Sequence, residues 1–543
     1  MAGKAIFRFI NICVLLPLVI FISQGCSKAS YHIVIKNGTI IDGSGSPPFI
    51  ADIGIAEEKI VFIGSIDKSE GDIIIDAQGL MVTPGFIDVH THCDRGISGT
   101  PTVDNYILQG VTTVIGGNCG GHQFPLEELF KALKAKGISV NFASLIGHNT
   151  IRREVMNYSM DRPSAEELKR MKDLIEDEMK AGALGFSTGL AYIPGTYSDT
   201  EELVELASAV KPFGGIYATH LRDQGEHITK AIVEAIKIGE MNNIPVQISH
   251  IKLSDDSVWG KTEMITEPVE SAQQRGVEVY LDQYPYTATS SGFASSFPSW
   301  AFEGGTEKFL QRLKVQDTRS KIKKHIVQRR LSSSKGINKL ETIYIATYRK
   351  NPEYQGKNLS EVLTLQNKMP TVDNAVELII EIQKSGGAQG VFFQMDEKDV
   401  EYLMKLPYTI HASDGEVQIK GKGVPHPRNY GTFPKVINFY VKEKKILALE
   451  DAVRKMTSLP AKAFRLENRG KILEGMFADI VIFDYERFKD RATFSDPHQY
   501  SQGLEYVIVN GEISVKDNQL TGTCSGIVIY GPGKGEEVDG QKK

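Results

Sequence analysis

Short apolar runs that end in clusters of polar residues recur along the middle of the chain at roughly even spacing. These strand-like runs are "GFIDVHTH" (85–92), "VTTVIGGNCG" (111–120), "VNFASLIGHN" (140–149), "ALGFSTGL" (183–190), "GIYATHLR" (215–222), "IPVQISHIK" (244–252), "VEVYLDQYPY" (277–286) and "YTIHASDG" (408–415). Helical patterns lie between them, as in residues 165–181, where Ser164 can act as N-cap and Glu167 can complete a capping box. Eight strands that alternate with helices and end in polar residues predict an α/β fold, a (β/α)8 TIM-like barrel.

The two ends of the chain have a different pattern, made of short strands separated by turn residues. Asn-Gly turns at Asn37-Gly38 and Asn510-Gly511 mark this pattern at the two ends. Two β-rich ends around a long middle predict one small β-sandwich domain built from residues 27–83 and 466–543. The barrel is then expected over residues 84–465.

The segment between the seventh and eighth strands is too long for one helix. It holds a Ser/Phe/Pro-rich stretch, a basic stretch and the strand-like "ETIYIATY" (341–348). We expect an insertion after strand seven, over about residues 290–350, because loops at the active-site face of a barrel accommodate such additions. Within it, the basic "SKIKKHIVQRR" (320–330) is predicted to be the solvated face of a helix.

The first 26 residues have the pattern of an export signal. Lys4 and Arg8 precede an apolar segment, "FINICVLLPLVIFIS" (9–23), that is short for a membrane span. The following "SQGC" resembles a bacterial lipoprotein signal in which Cys26 is lipidated, although Ser23 stands where such signals usually carry Leu. We therefore expect export to the bacterial cell envelope or periplasm, with a lipid anchor that tethers the protein to a membrane surface. An ordinary signal peptide is the alternative.

Composition narrows the function classes. The net charge of −5 gives no reason to expect a nucleic-acid partner. Five cysteines are present, and the three beyond the leader, Cys93, Cys119 and Cys524, are too scattered for a disulfide framework. A free cysteine outside the cytosol needs another explanation, and metal ligation is one.

Candidate metal ligands follow the predicted strands at corresponding ends. The residues with ligand side chains at these ends are His90, His92, Cys119, His220, His250 and Asp414. In a barrel the carboxyl ends of the strands gather the catalytic groups, and residues two apart on a strand share a face. Imidazole, thiolate and carboxylate together suit Zn²⁺. A lone histidine is more often a hydrogen-bonded core residue, but this many ligands at matching ends favour a metal site.

The motifs around these residues resemble those of the amidohydrolase superfamily and, within it, the N-acyl-D-amino-acid deacylases (D-aminoacylases). The resemblance runs from about residue 31 to 525 and rests on "PGFIDVHTH", "GGNCG", "STGLAYIPGTYSDTEEL", "ATHLRDQG", "QISHIK", "DQYPYTA", "NPEYQGK", "HASDGE" and "HPRNYGTFP". It implies zinc-dependent hydrolysis of the amide bond of small N-acyl-D-amino acids, which releases a carboxylate and a D-amino acid. It also implies one tight zinc site on Cys119, His220 and His250, and a second, weaker metal position at His90 and His92.

Asp414 is the expected catalytic residue, since a carboxylate beside a metal can take a proton from water and deliver it to the leaving amine. Its alternative role is a helix cap after the eighth strand. The substrate's free carboxylate needs a cation, and Arg428 is the leading candidate because a guanidinium binds a carboxylate bidentately. Lys252 shares a strand face with His250 and can reach the same group.

The family positions of Tyr192, Tyr284 and Ser290 imply that these residues line the substrate pocket, although ordinary packing explains the two tyrosines equally well. Cys93 follows His92 directly and is expected to point away from the metal if the strand continues, because neighbouring strand residues face opposite sides. If the strand has already turned, Cys93 can compete as a soft ligand.

Two other function classes remain open at this point. A cyclic-amide hydrolase of the dihydroorotase or hydantoinase type would share the paired histidines of strand one, but it usually needs a bridging lysine on strand four, where this chain has "GFSTGL". A non-catalytic envelope binding protein on a degenerate barrel would be expected to have lost ligands, and none is lost here.

Overall fold

The computed structural model describes Met1, residues 31–67 and residues 71–535. The predicted export signal and Cys26 lie outside the described residues. The strands are, in chain order, β1 (Tyr31–Ile40), β2 (Phe49–Ala56), β3 (Lys59–Gly64), β4 (Gly71–Asp76), β5 (Met81–Pro84), β6 (Phe86–Asp88), β7 (Val111–Gly116), β8 (Asn141–Ser144), β9 (Ile146–Gly147), β10 (Gly185–Gly189), β11 (Ile216–His220), β12 (Val246–Ile248), β13 (Val279–Gln283), β14 (Ala288–Gly292), β15 (Ile343–Thr347), β16 (Gln389–Phe393), β17 (Thr409–His411), β18 (Ile480–Phe483), β19 (Leu504–Val509), β20 (Glu512–Lys516) and β21 (Gln519–Leu520).

The α-helices are α1 (Asp104–Ile107), α2 (Leu126–Lys136), α3 (His148–Met156), α4 (Ala165–Ala181), α5 (Thr200–Ala207), α6 (Ile228–Asn242), α7 (Glu263–Gln274), α8 (Thr306–Lys314), α9 (Gln316–Ile326), α10 (Leu359–Leu365), α11 (Val372–Lys384), α12 (Glu397–Lys405), α13 (Arg428–Lys435), α14 (Leu449–Met456) and α15 (Ser458–Ala463). Segments Val327–Leu331 and Val436–Glu443 are π-helical. Ser164 and Glu167 form the predicted capping box at the start of α4. None of the helices among the described residues combines the length and hydrophobicity that a bilayer span requires.

Eight parallel strands form the barrel, and each coincides with one of the eight apolar runs of the sequence. They pair in the order β6-β7-β8 and β9-β10-β11-β12-β13-β17, and β9 continues the line of β8. The last strand returns to the first through the backbone: Asp414 N–H donates to His90 O at 2.8 Å, and His92 N–H donates to Gly415 O at 2.7 Å. The predicted (β/α)8 barrel is therefore confirmed.

Alternate residues of these strands face two different cores. Phe142, Phe186 and Leu281 pack outward against the helices, whereas Ile115 and Ala143 belong to the cluster that fills the barrel. Successive strand residues point to opposite faces, so each strand must be apolar on both sides below its polar carboxyl end. This is why the strands read as continuous apolar runs in the sequence.

Both chain ends contribute to one nine-stranded sheet, as predicted. β5 pairs antiparallel with β18, with Val481 opposite Thr83, and β1 pairs with β2, β4 and β5. The sheet curls back on itself, because a bridge joins Lys59 to Phe477 just before β18. Isoleucines from both ends, such as Ile33 and Ile480, share its core.

The end of the chain departs from the predicted domain boundary, which assigned residues 466–543 to the β domain. Segment 526–531 lies against the barrel instead. Ile529 N–H donates to Phe142 O at 2.8 Å, and Gly531 N–H donates to Gly182 O at 2.8 Å. The tail thus supplies backbone partners to β8, which sequence pattern alone does not indicate.

The insertion after the seventh strand is larger than the predicted 290–350. Its three-stranded antiparallel sheet has the order β14-β16-β15, so it ends only at Phe393. A separate apolar core, from Phe293 to Phe392, joins this sheet to α8–α11. The sequence does not indicate this extent, because β16 pairs with two distant strands and long-range pairing has no local sequence signal.

Candidate active site

The predicted ligands all lie at or just beyond the carboxyl ends of barrel strands. They are His90 and His92 after β6, Cys119 after β7, His220 at the end of β11, His250 after β12 and Asp414 after β17. Each is buried or nearly so, although the strands that carry them are far apart in sequence. Barrel closure therefore gathers these side chains in one place.

Cys119 lies at the centre of the first ligand group. Its Sγ is 3.3 Å from His90 Nε2, 3.5 Å from His250 Nε2 and 3.7 Å from His220 Nδ1. The ligand atoms of His90, Cys119 and His250 all lie within 4.8 Å of one another. A thiolate surrounded by imidazole nitrogens at these distances is the donor set that zinc prefers.

A second ligand group adjoins the first and shares His90. Asp414 Oδ1 is 3.2 Å from His92 Nε2 and 3.5 Å from His90 Nε2. These three residues also have their ligand atoms within 4.8 Å. His90 consequently belongs to both candidate ligand groups, whereas the family resemblance assigned it to the weaker position alone.

Three of these residues have left-handed backbone conformations that residues other than glycine adopt only rarely. The φ angles are 53° at Cys119, 37° at His250 and 51° at Asp414. Hydrogen bonds hold them in place: Asp414 N–H donates to His90 O at 2.8 Å, and His250 N–H donates to Asp282 Oδ1 at 2.8 Å. Left-handed backbone at residues other than glycine is typical of functional sites.

Asp282 supports the site from within β13, and the sequence analysis did not single it out. Its carboxylate oxygens both lie 3.1 Å from His90 Nδ1, so the proton on that nitrogen is held by Asp282 and Nε2 faces Cys119. The carboxylate also accepts from the Gln247 amide and from the backbone of His250. A carboxylate behind a ligating histidine fixes the ring and raises its basicity. An aspartate inside an apolar strand was the available signal.

Mutual charges set the protonation of the cluster. Burial opposes ionisation of Cys119, but the rings of His90 and His250 hold the pKa of its thiol well below the usual range. Burial also disfavours a charged His92, yet the Asp414 carboxylate raises the pKa of His92 to about 9. The thiol of Cys119 is therefore in the thiolate form that binds metals.

Arg428 and Lys252 flank the ligands on the side of Tyr284. Arg428 Nη1 lies 2.7 Å from Asp414 Oδ2, and its Cζ is 4.9 Å from the Tyr284 ring centroid. Lys252 Nζ lies 3.1 Å from His250 Nδ1 and 5.5 Å from the same ring centroid. Burial lowers the pKa of Lys252 to about 7, and burial raises the pKa of Tyr284 well above its usual range.

A cavity of about 600 Å³ opens onto this cluster. Its walls include His220, His250, Asp414 and most of the predicted substrate residues, which are Tyr192, Lys252, Tyr284 and Ser290. Arg428 and Ser290 line an adjoining cavity of about 410 Å³. Tyr192 packs on His220 with ring centroids 4.5 Å apart.

Cys93 lies apart from both ligand groups, although strand alternation is not the reason, because β6 already ends at Asp88. It begins a short 3₁₀ turn and is fully buried, and its Sγ accepts a hydrogen bond from Thr91 Oγ1 at 2.9 Å. Burial raises the pKa of its thiol well above the usual range. Its contacts are those of a core residue.

The basic stretch 320–330 was predicted to be a solvated helix face, and the structure agrees for only part of it. Lys321 and Lys323 are on the outside of the insertion, paired with Asp317 and Glu377. Arg330, however, lies at the end of the π-helical segment and lines the cavity together with Ser295. The prediction is wrong for Arg330, because an α-helical spacing does not anticipate the wider π-helical turn.

The chain is similar to amidohydrolases over most of its length. The sequence profile described as the Amidohydrolase family matches residues 74–301 and 413–515. The chain is 34% identical over 522 residues to the D-aminoacylase of Alcaligenes xylosoxydans xylosoxydans, covering 92% of this chain and 97% of that one. It is 31% identical over 501 residues to the N-acyl-D-glutamate deacylase of the same organism, covering 88% and 92% of the two chains.

A solved structure shares the architecture throughout. The crystal structure of N-acyl-D-glutamate deacylase from Bordetella bronchiseptica is 29% identical and superimposes with a TM-score of 0.79, covering 92% of this chain and all of that one. That protein was crystallised with zinc and a phosphonate inhibitor that mimics the tetrahedral intermediate of its reaction.

Proposed function

Because the chain belongs to the Amidohydrolase family, we propose that it is a zinc-dependent hydrolase that cleaves the amide bond of N-acyl-D-amino acids. The products are a carboxylate and a D-amino acid. The observation that carries the proposal is the convergence of Cys119, three histidines and Asp414 at the carboxyl ends of the barrel strands, at the mouth of a cavity.

The residues present fit a zinc ion. Cys119 with His90, His220 and His250 provides one thiolate and three imidazoles, and the adjoining His90, His92 and Asp414 provide a second position. These are the ligand types that bind zinc, and the Asp282 carboxylate behind His90 is the usual support of a ligating histidine. When bound, zinc polarises the substrate carbonyl and lowers the pKa of water.

Asp414 is placed to move the proton. Its carboxylate faces the metal ligands through Oδ1 and Arg428 through Oδ2. Burial opposes ionisation of Asp414, but the guanidinium of Arg428 holds its pKa well below the usual range, so it stands ready as a base. It takes the proton of the attacking water and delivers it to the leaving nitrogen. The nitrogen therefore departs as a neutral amine when the amide bond breaks.

The carboxylate of the substrate is held by the cations on the Tyr284 side of the site. Arg428 and Lys252 both approach this ring, and Arg428 Nε is buried with no hydrogen-bond partner among the described residues. A carboxylate delivered to this point gains a charge-assisted hydrogen bond and orients the amide toward the ligands.

The two alternatives fit the site less well. A hydantoinase-type enzyme would place a metal-bridging lysine on the fourth strand, but β10 carries Ser187, whose Oγ bonds the backbone of Gly117 and Gly120. Cys119 occupies the central position in its place. A non-catalytic binding protein is disfavoured because the ligand set and the Asp414 carboxylate are complete.

Steady-state kinetics on a panel of N-acetyl-D- and N-acetyl-L-amino acids, with zinc measured on the same sample, tests the proposal. We expect hydrolysis of D substrates that depends on bound zinc. Equal rates on the two enantiomers would contradict the proposed preference for D substrates. Activity on a cyclic amide alone would favour the alternative function, a hydantoinase-type hydrolase.

We also propose that the protein is exported and anchored by lipid on Cys26. The support is the basic, then apolar, then Gly25-Cys26 pattern of the first residues. Metabolic labelling with a radioactive fatty acid tests this directly. The Cys26→Ser variant should lose the label, and a labelled variant would contradict the anchor.

A further inference from the structure

Arg330 is a cation in the wall of the cavity whose contacts are all uncharged. Its guanidinium donates to Ser295 Oγ at 2.6 Å, to Ser296 Oγ at 3.2 Å and to Gln394 Oε1 at 3.2 Å. Its Cζ lies 4.5 Å from the centroid of the Phe392 ring. No carboxylate of the described part of the chain lies within ion-pair distance of it.

The other arginines near this cavity, Arg222 and Arg329 in its wall and Arg428 in the wall of the adjoining cavity, each have a carboxylate partner. Arg222 lies 3.0 Å from Glu234, Arg329 lies 3.8 Å from Asp223 and Arg428 lies 2.7 Å from Asp414. The two carboxylates that line the cavity, Asp223 and Asp414, are therefore already engaged. Arg330 is left as a positive charge that faces the cavity without compensation.

Such a charge is costly unless something neutralises it. Burial and the neighbouring Arg329 lower the pKa of Arg330 to about 9. Stacking on Phe392 and the hydrogen bonds that the guanidinium donates to serine hydroxyls orient it but supply no negative charge. These three bonds use three of the five N–H donors of the guanidinium, so two remain for a carboxylate that enters the cavity.

We propose that Arg330 binds a second carboxylate on the substrate, so that the preferred substrates are dianionic N-acyl-D-amino acids. This inference rests on the proposed function and specifies its substrate class. The first carboxylate goes to Lys252 and Arg428 beside Tyr284, and the second goes to Arg330 on the Ser295 side of the cavity that Lys252 and Tyr284 also line.

The second carboxylate can belong to either half of the substrate. It is the side chain in an N-acyl-D-glutamate or N-acyl-D-aspartate, and it is the acyl group in an N-succinyl-D-amino acid. Two matched pairs separate these sources: N-acetyl-D-glutamate against N-acetyl-D-glutamine, and N-succinyl-D-alanine against N-butyryl-D-alanine. Each pair differs in one charged group and little else.

The experiment measures kcat/KM of the zinc-loaded enzyme on both pairs. We expect the dianionic member of one pair to be preferred by about 10- to 100-fold, the range of a hydrogen bond to a charged group. Arg330→Gln should abolish that preference and leave the neutral member within a few-fold of wild type. Arg330→Lys should retain part of the preference, because it keeps the charge but loses the bidentate fork.

Arg319→Gln is the matched control. Arg319 lies in the same insertion and pairs with Glu377 away from the cavity, so its loss should leave the preference unchanged. Zinc content and melting temperature of each variant identify misfolded protein. A merely structural role for Arg330 would lower kcat/KM equally for charged and neutral substrates, and that result would overturn the inference.

The wild-type panel keeps the two proposals separable. Hydrolysis of the neutral substrates with no preference for either dianion would overturn the role of Arg330 and leave the deacylase function standing. Failure to hydrolyse any member of the panel would overturn the deacylase function itself.

Discussion

His90 Nδ1 lies 3.1 Å from both carboxylate oxygens of Asp282, although 192 positions separate the two residues in the sequence. The contact fixes which nitrogen of His90 faces Cys119. Since His90 belongs to both ligand groups, Asp282 supports the two metal positions at once.

Asp282→Asn is therefore expected to weaken zinc binding by about 10- to 100-fold, the usual cost of losing the carboxylate behind a ligating histidine. The amide preserves the size of the side chain but removes its charge. Competition with a chelator measures the affinity. Glu202→Gln is the control, because it also removes a carboxylate that contacts a buried histidine. Glu202 Oε1 lies 2.9 Å from His148 Nε2, and neither residue belongs to the ligand groups. This substitution should lower the melting temperature and leave zinc affinity intact. A similar loss of zinc in both variants would contradict the assignment.

Cys119→Ala should remove the tightly bound zinc and reduce kcat by at least about 100-fold, since metal-site ligands and their supports carry effects of this size. Cys93→Ala should retain both zinc and activity, because the Cys93 thiol bonds Thr91 and faces neither ligand group. Metal analysis after gel filtration, together with a D-substrate assay, checks the pair. Full activity in the Cys119 variant would refute its role as a ligand.

Asp256 links the insertion to the barrel, and its contribution to the free energy of unfolding should decrease in acid. Burial opposes its ionisation, but Ser333, Ser334 and Lys339 hold its pKa well below the usual range. A carboxyl with a lowered pKa in the folded state stabilises the protein fully above its unfolded pKa of about 3.9, and loses this effect as the pH falls further. Asp256→Asn should thus cost about 1–3 kcal/mol of stability at neutral pH.

Melting temperatures of Asp256→Asn and wild type across pH 7 to pH 3 check this prediction. The difference should be constant near neutrality and narrow below about pH 4, where the unfolded aspartate takes up its proton. Asp173→Asn, in an exposed pair with Lys169, serves as control and should show little difference at any pH. A melting-temperature difference that increases as the pH falls would contradict the stabilising role of the ionised Asp256.

Ser164→Ala should destabilise the protein by about 1 kcal/mol without changing kcat, because it deletes the N-cap of α4. The Ser164 hydroxyl accepts from Glu167 N–H at 3.3 Å, and Glu167 reaches back to Ser164 N–H at 2.8 Å. Denaturant unfolding measures the stability change. Ser164→Asp should restore the loss, since aspartate is an equally good cap, and failure of that rescue would argue against capping as the cause.

Much of the fold could be predicted from the sequence because the relevant signals are local. A strand buried on both sides is apolar at every position, and the helix after it repeats with a period of 3.6 residues. Turn residues mark the β-rich ends in the same way. The insertion was underestimated because β16 completes a sheet with β14 and β15, and pairing over such distances leaves no mark in the intervening residues.

The candidate site was predictable as a set of residues for a related reason. Ligands after successive strands of a barrel must meet, so His90, His92, Cys119, His220, His250 and Asp414 could be named from their positions alone. Their grouping could not. Whether His90 serves one metal position or both depends on ring orientation, and that orientation comes from Asp282 on a different strand.

The sequence by itself determined the order of elements, the barrel and the set of side chains that meet at the candidate site, since each follows from short-range periodicity or from the topology that the periodicity implies. Only the tertiary structure decided the left-handed turns at Cys119, His250 and Asp414, the tail that lies on β8, and the entry of Arg330 into the cavity. These features arise from contacts between segments that are distant in the chain. The free energies of these contacts depend on the neighbours of each residue in space. A local sequence pattern does not show which residues those neighbours are.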